Sequence, residues 1–235
     1  MQRLRKRKQL TLSLACSLHF NSCMPRKIVP TTHLFPYHVS ARCLNREWFE
    51  IPLSDVWCIF EDYLCFIHHN FGIEILSFVL MANHFHLILK APNSNLSAAM
   101  NYFMRETSRQ ILQASGRINH IYGGRFSRSL ITSNHYFMCA YKYVYRNPVE
   151  AKFCGRVEDY RFSTLAGLLG ARKLSIPLSE DLTLFSDVEG TLSWLNTARE
   201  KPIYEAVRKA IKKSAFEFGK NKKTGKPHEL TTNLY

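Results

Sequence analysis

Apolar and polar residues alternate with period two over Tyr37-His38-Val39-Ser40-Ala41-Arg42, which predicts a first strand. Asn45-Arg46-Glu47 reads as a polar turn. From Ser54, a capping residue, to His69 the period changes to that of a helix, with Val56, Ile59, Phe60, Tyr63, Leu64 and Ile67 on one face. Phe71-Gly72 ends it. The apolar run Ile73 to Met81 predicts a second strand, Asn83 a tight turn and His84 to Lys90 a third strand, together a hairpin. After the Ala91 to Asn95 loop, Met100, Phe103, Thr107 and Ile111 mark one face of a helix from Leu96 to about Ala114. Gly123-Gly124 interrupts the chain, and Arg125 to Thr132 reads as a fourth strand. Asn134 is expected to cap a helix that stops at Arg146, because Pro148 disfavours helical backbone in Asn147.

The resulting order, β-α-β-β-α-β-α, predicts an α+β fold. Its first six elements fit a ferredoxin-like split β-α-β sandwich, an antiparallel sheet with helices on one face. A C-terminal tyrosine-bearing helix and a basic tail are added to it. Composition shifts near residue 170. Residues 174–195 are apolar with interspersed acids, and residues 199–226 hold ten Lys/Arg against three Glu. The expected division is therefore a basic, disordered extension over 1–23, the main folded domain over 24–170, and a basic helical region with tail over 171–235. Within the last, Ala206 to Phe218 is expected as a basic amphipathic helix, with disorder beyond Gly219.

Charge adds a functional direction. The 235 residues carry 32 Lys+Arg against 18 Asp+Glu, a net charge of +14, which favours a polyanionic partner, nucleic acid before anionic membrane. Hydrophobic residues at 46% exclude wholesale disorder, and no apolar run reaches the length of a membrane span. The seven cysteines show no C-x-x-C spacing, which argues against a zinc ribbon or redox motif and for buried, reduced thiols. Arg3 to Lys8 followed by Leu10 to Cys16 has the outline of an export signal. Its apolar stretch is interrupted, and Met24-Pro25-Arg26-Lys27 looks like an ordinary start, so a basic arm or upstream extension is the preferred reading.

Two short patterns carry chemistry. His84-Phe85-His86 in a strand puts two imidazoles on one face, about 7 Å apart, able to converge on one divalent metal. The bland alternative is two structural histidines. Position 88 is Ile88, which removes a histidine-triad hydrolase. Tyr143 and Asn147, spaced i, i+4, share a helical face. A tyrosine hydroxyl can attack phosphorus, but with a pKa near 10 it needs a nearby cation or base. Tyr141 and Tyr145 fall on the opposite face, since two residues rotate a helix by about 200°. Here the alternative is a packing tyrosine and a helix cap.

Taken together, Met81-Ala82-Asn83-His84-Phe85-His86, Gly124-Arg125-Phe126 and Tyr143-Val144-Tyr145-Arg146-Asn147-Pro148-Val149-Glu150-Ala151 resemble the single-tyrosine HUH transposases, especially the REP-associated tyrosine transposase branch. That family shows an M-P-N-H-x-H strand, a G-R-F segment and a Y-x-x-x-N-P-v-x-A helix end. Tyr37 to Arg42 also resembles its first strand, and the resemblance covers about residues 24–165. Ala82 replaces the family's usual proline, and Lys152 stands where glycine often follows the last motif.

The resemblance implies that Tyr143 is the nucleophile, forming a 5′-phosphotyrosine link with single-stranded DNA. A second 3′-OH would resolve the link, giving strand transfer without ATP. His84 and His86 would hold Mg²⁺ or Mn²⁺ with Asn147 as third ligand. The DNA is expected to be hairpin-containing or palindromic, the protein cytoplasmic without integral membrane association, and the site built within one chain or across a homodimer. Arg105, Arg109, Arg125 and Arg128 are candidate backbone contacts, and Tyr102 and Phe126 candidate base-stacking rings. The alternatives are a domesticated same-fold nickase and a non-catalytic basic nucleic-acid-binding protein.

Overall fold

The computed structural model describes residues 31–219. The expected extension over 1–23 and the tail beyond Gly219 lie outside the described residues. Strands β1 (Tyr37–Arg42), β2 (Glu74–Met81), β3 (His84–Lys90) and β4 (Ser127–Leu130) form one antiparallel sheet in the order β2-β3-β1-β4, the ferredoxin-like arrangement.

Cross-strand register sorts the side chains. Tyr37 lies opposite Leu89, Val39 opposite Leu87 and Ala41 opposite Phe85, so these six share one face. Helices α1 (Leu53–Phe71) and α2 (Leu96–Ser115) cover that face, as the periodicity predicts. Phe60 sits at its centre, 5.2–5.9 Å from the rings of Phe49, Phe78, Phe85 and Phe103. Burying each such side chain contributes about 1.5–3 kcal/mol.

The opposite face carries α3 (Asn134–Glu150) and a second core that includes Val79, Ile88, Val144, Leu165 and Leu184. Helices α4 (Thr164–Leu168), α5 (Leu182–Ser186), α6 (Val188–Asn196) and α7 (Lys201–Ala210) follow, and α5 to α7 contribute Leu184, Leu195, Val207 and Ala210 to this core. The acids of this region cap helices: Asp181 accepts from the Leu184 amide at 3.0 Å and Asp187 from the Gly190 amide at 2.9 Å.

Several boundaries differ from expectation. Ser54 lies inside α1, whose cap position is Pro52, and β4 takes only Ser127–Leu130 of the expected Arg125 to Thr132. The cap of α3 is Ser133, whose hydroxyl accepts from the Tyr136 amide at 3.2 Å. The same helix runs through Pro148 to Glu150 instead of stopping at Arg146. Contacts around the proline outweigh its local preference, because Arg146 donates to the Leu195 and Asn196 carbonyls at 2.9 and 2.7 Å and pairs with Glu150 at 2.7 Å. The basic helix spans Lys201–Ala210 rather than Ala206 to Phe218. Pro202 favours its early start, and the chain beyond it leaves helical geometry to pair with the edge of β4, Leu130 bonding Ser214 and Phe216 at 3.0 and 2.8 Å.

Candidate active site

The register that buries Phe85 and Leu87 on one face turns His84 and His86 to the other, toward α3. It also sets Arg42 opposite His84 and Ser40 opposite His86. From α3, Tyr143 and Asn147 approach the same point. The Asn147 amide lies 3.0 Å from His86 Nε2, and it also reaches the His84 ring and the Tyr143 hydroxyl. The His84 and His86 ring centres are 5.1 Å apart, and the Tyr143 ring stands edge-on to His86 at 5.5 Å. Tyr143, His86 and Asn147 are each at most 8% exposed.

The two rival tyrosines point elsewhere. Tyr141 donates to Asp181 at 2.7 Å, and the Tyr145 hydroxyl is 3.0 Å from that of Thr164. Helical phase thus separates one tyrosine from its neighbours.

Burial sets the protonation states. It lowers His84 to about 3, assisted by the positive charge of Arg42. His86 is pushed well below its ordinary value by burial, then by His84, His38 and Arg42. Both rings are therefore neutral at pH 7, with lone pairs to offer. Tyr143 is raised by burial, against the opposing influence of Arg208, hydrogen bonds from Asn147 and Tyr204, and Arg42. Its hydroxyl is protonated in the resting site, with cations placed to favour the phenolate.

These groups open onto a cleft of about 630 Å³ lined by Arg42, Arg46, Arg125, Arg208 and Lys212, with no Asp or Glu in its wall among the described residues. Such a wall suits a polyanion. Gly123 and Gly124 form part of the rim, and the Gly123 amide donates to the Arg42 carbonyl at 3.0 Å. A more apolar cavity of about 410 Å³ lies beside Leu76, Phe137 and Tyr141, away from the histidines.

Of the arginines singled out from the sequence, Arg125 lines the cleft. Arg105 and Arg109 sit on α2 across the sheet and pair with Glu106 at 2.8 and 3.0 Å. Arg128 turns to the α2 side and donates to Ser97 at 3.3 Å. Tyr102 and Phe126 pack against the first core. The cleft residues His38, Arg42, Arg46, Arg208 and Lys212, and Tyr204 stacked 5.6 Å from Tyr143, were not among the sequence candidates. The alternation of β1 puts His38 and Arg42 on one face, but only the register places them beside the histidines.

Among the described residues no group of three or more His, Cys, Asp and Glu gathers as a metal site. A divalent ion would instead rest on His84, His86 and the Asn147 amide. The donor set fits such an ion: both rings are neutral, and His84 gives its Nδ1 proton to Asn83 Oδ1 at 2.8 Å, leaving Nε2 unprotonated. Imidazole and amide ligands leave the choice of ion open.

A known protein shares this architecture. The structure of a REP-associated tyrosine transposase bound to a REP hairpin superposes with a TM-score of 0.53 at 22% identity, covering 67% of this chain and 93% of that one, a likeness in fold. A candidate transposase from Deinococcus radiodurans gives a TM-score of 0.36 at 17% identity over 51% of this chain and 92% of that one, too low to bear on the fold. No curated protein matches the sequence. Residues 32–147 match the family model for IS200-like transposases. The matched segment belongs to that family, and it contains every element of the sheet, His84, His86, Tyr143 and Asn147. Tyr204, Arg208 and Lys212 lie beyond it.

Proposed function

We propose that this transposase cleaves and rejoins single-stranded DNA through a 5′-phosphotyrosine intermediate on Tyr143. The observation that carries the reading is the convergence of Tyr143, His84, His86 and Asn147 of one chain at the end of a cleft walled by five cations. Arg42, Arg46, Arg125, Arg208 and Lys212 bind the phosphate backbone on either side of the scissile bond. Tyr143 Oη forms the bond to phosphorus as the bond from phosphorus to the 3′ oxygen breaks; the phenol proton passes to solvent and the departing 3′ oxygen takes one up, leaving a free 3′-OH. Arg208 and Arg42 stabilise the phenolate as that charge develops. A 3′-OH from a second strand attacks the phosphotyrosine and restores the hydroxyl, so ATP is not consumed. His84, His86 and Asn147 would hold Mg²⁺ or Mn²⁺, which when bound would supply Lewis-acid polarisation of the scissile phosphate.

The hairpin bound by the structural neighbour supports a hairpin substrate here, and in this reading the protein meets its DNA in the cytoplasm. The nucleophile and the histidines meet within one chain, which favours assembly in cis over a homodimer that exchanges helices. In this reading residues 24–170 carry the chemistry and residues 171–235 add Arg208 and Lys212 to the DNA path. A same-fold nickase would use the same residues.

The test uses 5′- and 3′-labelled hairpin DNA with Mn²⁺ or EDTA. We expect a denaturation-resistant adduct that keeps the 3′-side fragment, requires the metal and is absent from Tyr143→Phe. Tight, salt-sensitive binding without any adduct would favour the non-catalytic DNA-binding alternative.

A further inference from the structure

His38 lies in β1, 1% exposed, and its Nε2 is 2.8 Å from His86 Nδ1, with the two ring planes 29° apart. A neutral imidazole has one N–H and one lone pair, so the bond at one ring nitrogen decides what the other can do. At His86 Nε2 the neighbour is the Asn147 Nδ2 donor at 3.0 Å, so Nε2 accepts and the proton belongs on Nδ1. That proton then goes to His38 Nε2, and His38 carries its own on Nδ1. Among the described residues, His38 Nδ1 is buried without a hydrogen-bond partner.

His84 is arranged in the same way. Asn83 Nδ2 donates to the Arg46 carbonyl at 2.7 Å, which fixes the amide so that Oδ1 accepts from His84 Nδ1 at 2.8 Å. Each histidine of the pair thus has an acceptor behind its Nδ1: a side-chain carbonyl for His84, a second imidazole for His86. The orphaned His38 Nδ1 costs stability. An aliphatic residue at position 38, opposite Ile88, would have no such orphan, so fold stability does not account for the histidine.

We propose that His38 is a positioning residue for the metal centre: by accepting from His86 Nδ1–H it fixes the tautomer whose Nε2 lone pair faces Asn147 and the cleft. The inference rests on the metal reading given above. The reverse arrangement, with His38 Nε2–H donating to His86 Nδ1, would aim an N–H from His86 at the cleft and exclude a cation. Such supporting partners orient a metal-binding imidazole and raise its basicity.

The test has two parts, both on DNA-free protein. Long-range ¹H–¹⁵N spectra of the metal-free, histidine-labelled chain, with His86 assigned by His86→Gln, read the tautomer directly. We expect the proton on Nδ1. Mn²⁺ titration followed by electron paramagnetic resonance then compares variants whose fold is checked by circular dichroism. His38→Leu removes the acceptor and is expected to weaken Mn²⁺ binding about 10–100-fold, whereas His38→Gln retains an acceptor and stays within about threefold of wild type. A proton on Nε2 of wild-type His86, or unchanged affinity in His38→Leu, would overturn the proposal while leaving the metal reading intact. If His38→Leu fails to fold, a His38→Gln variant that binds as weakly as His84→Ala overturns it too. Wild-type protein with no saturable Mn²⁺ binding would remove the parent reading and this role with it.

Discussion

The two faces of one sheet divide the labour of this molecule. Toward α1 and α2 the strands present Tyr37, Val39, Phe85, Leu87 and Leu89, all buried, and the contacts among them are apolar and aromatic. Toward α3 the same strands present His38, Ser40, Arg42, His84 and His86 beside Ile88. Because side chains alternate, each strand serves both purposes without compromise. The polar residues concentrate where α3 and α7 leave a cleft, and that is where the tyrosine, the histidines and the cations meet. The lesson is that in β1 and β3 the residues breaking an otherwise apolar alternation mark the face of the proposed site.

That comparison can be broken in several ways. The largest effect is expected at Tyr143: Tyr143→Phe should lower strand cleavage about 10⁴-fold or more while leaving hairpin affinity and fold in place. Tyr141→Phe should do the reverse, destabilising the protein by about 1–3 kcal/mol because Asp181 loses its buried donor, with covalent chemistry retained by the folded fraction. Cleavage assays paired with urea melts distinguish the two.

On the opposite face, Phe60→Ala should cost about 3–5 kcal/mol of stability by opening a cavity among four aromatic side chains, with no direct effect on the site. Cleavage per folded molecule that falls as far as stability would show that the faces are not separable.

Acid should act on the polar face. Folded His38 and His84 have pKa values of about 3 against an ordinary 6.5, so below pH 6.5 the unfolded chain binds protons that the folded one does not. Their contribution is complete above pH 6.5 and is lost progressively as pH falls toward 3. For the enclosed His38 the loss approaches about 1.4 kcal/mol per pH unit. Metal-free thermal melts from pH 7.5 to 4.5 should show a falling midpoint, and His38→Gln should flatten the slope.

The smallest effects separate the cations. Arg208→Ala should reduce the salt dependence of hairpin binding by a slope of about one, whereas Arg105→Ala and Arg109→Ala, on α2 across the sheet, should leave it unchanged. A loss of affinity at Arg105 equal to that at Arg208 would place DNA on both faces.

Much of this was legible in the sequence, for physical reasons. Period-two alternation gave β1 its observed ends and the Asn83 turn gave β3 its start, and the i, i+2 histidines and i, i+4 Tyr143–Asn147 pair needed only local geometry to be placed on common faces. What local spacing cannot carry is register and long-range packing. Arg42 joins His84 through the β1–β3 pairing, and Arg208 arrives on a helix more than sixty residues beyond Tyr143. Arg105 and Arg109 were attractive because they are basic, but the apolar stripe of α2 fixes that helix on the far side of the sheet. The early end of α7 and the passage of α3 through Pro148 likewise depend on tertiary contacts with β4 and α6.

The most direct test of the central claim is to map the DNA attachment site. Covalent adduct formed on hairpin DNA with Mn²⁺ is digested with trypsin and sequenced by tandem mass spectrometry. The account predicts the nucleotide on Tyr143 within the peptide Tyr143 to Arg146. Attachment at Tyr145 in the same peptide, or at Tyr141, would contradict it, since both of those hydroxyls are committed to the second core.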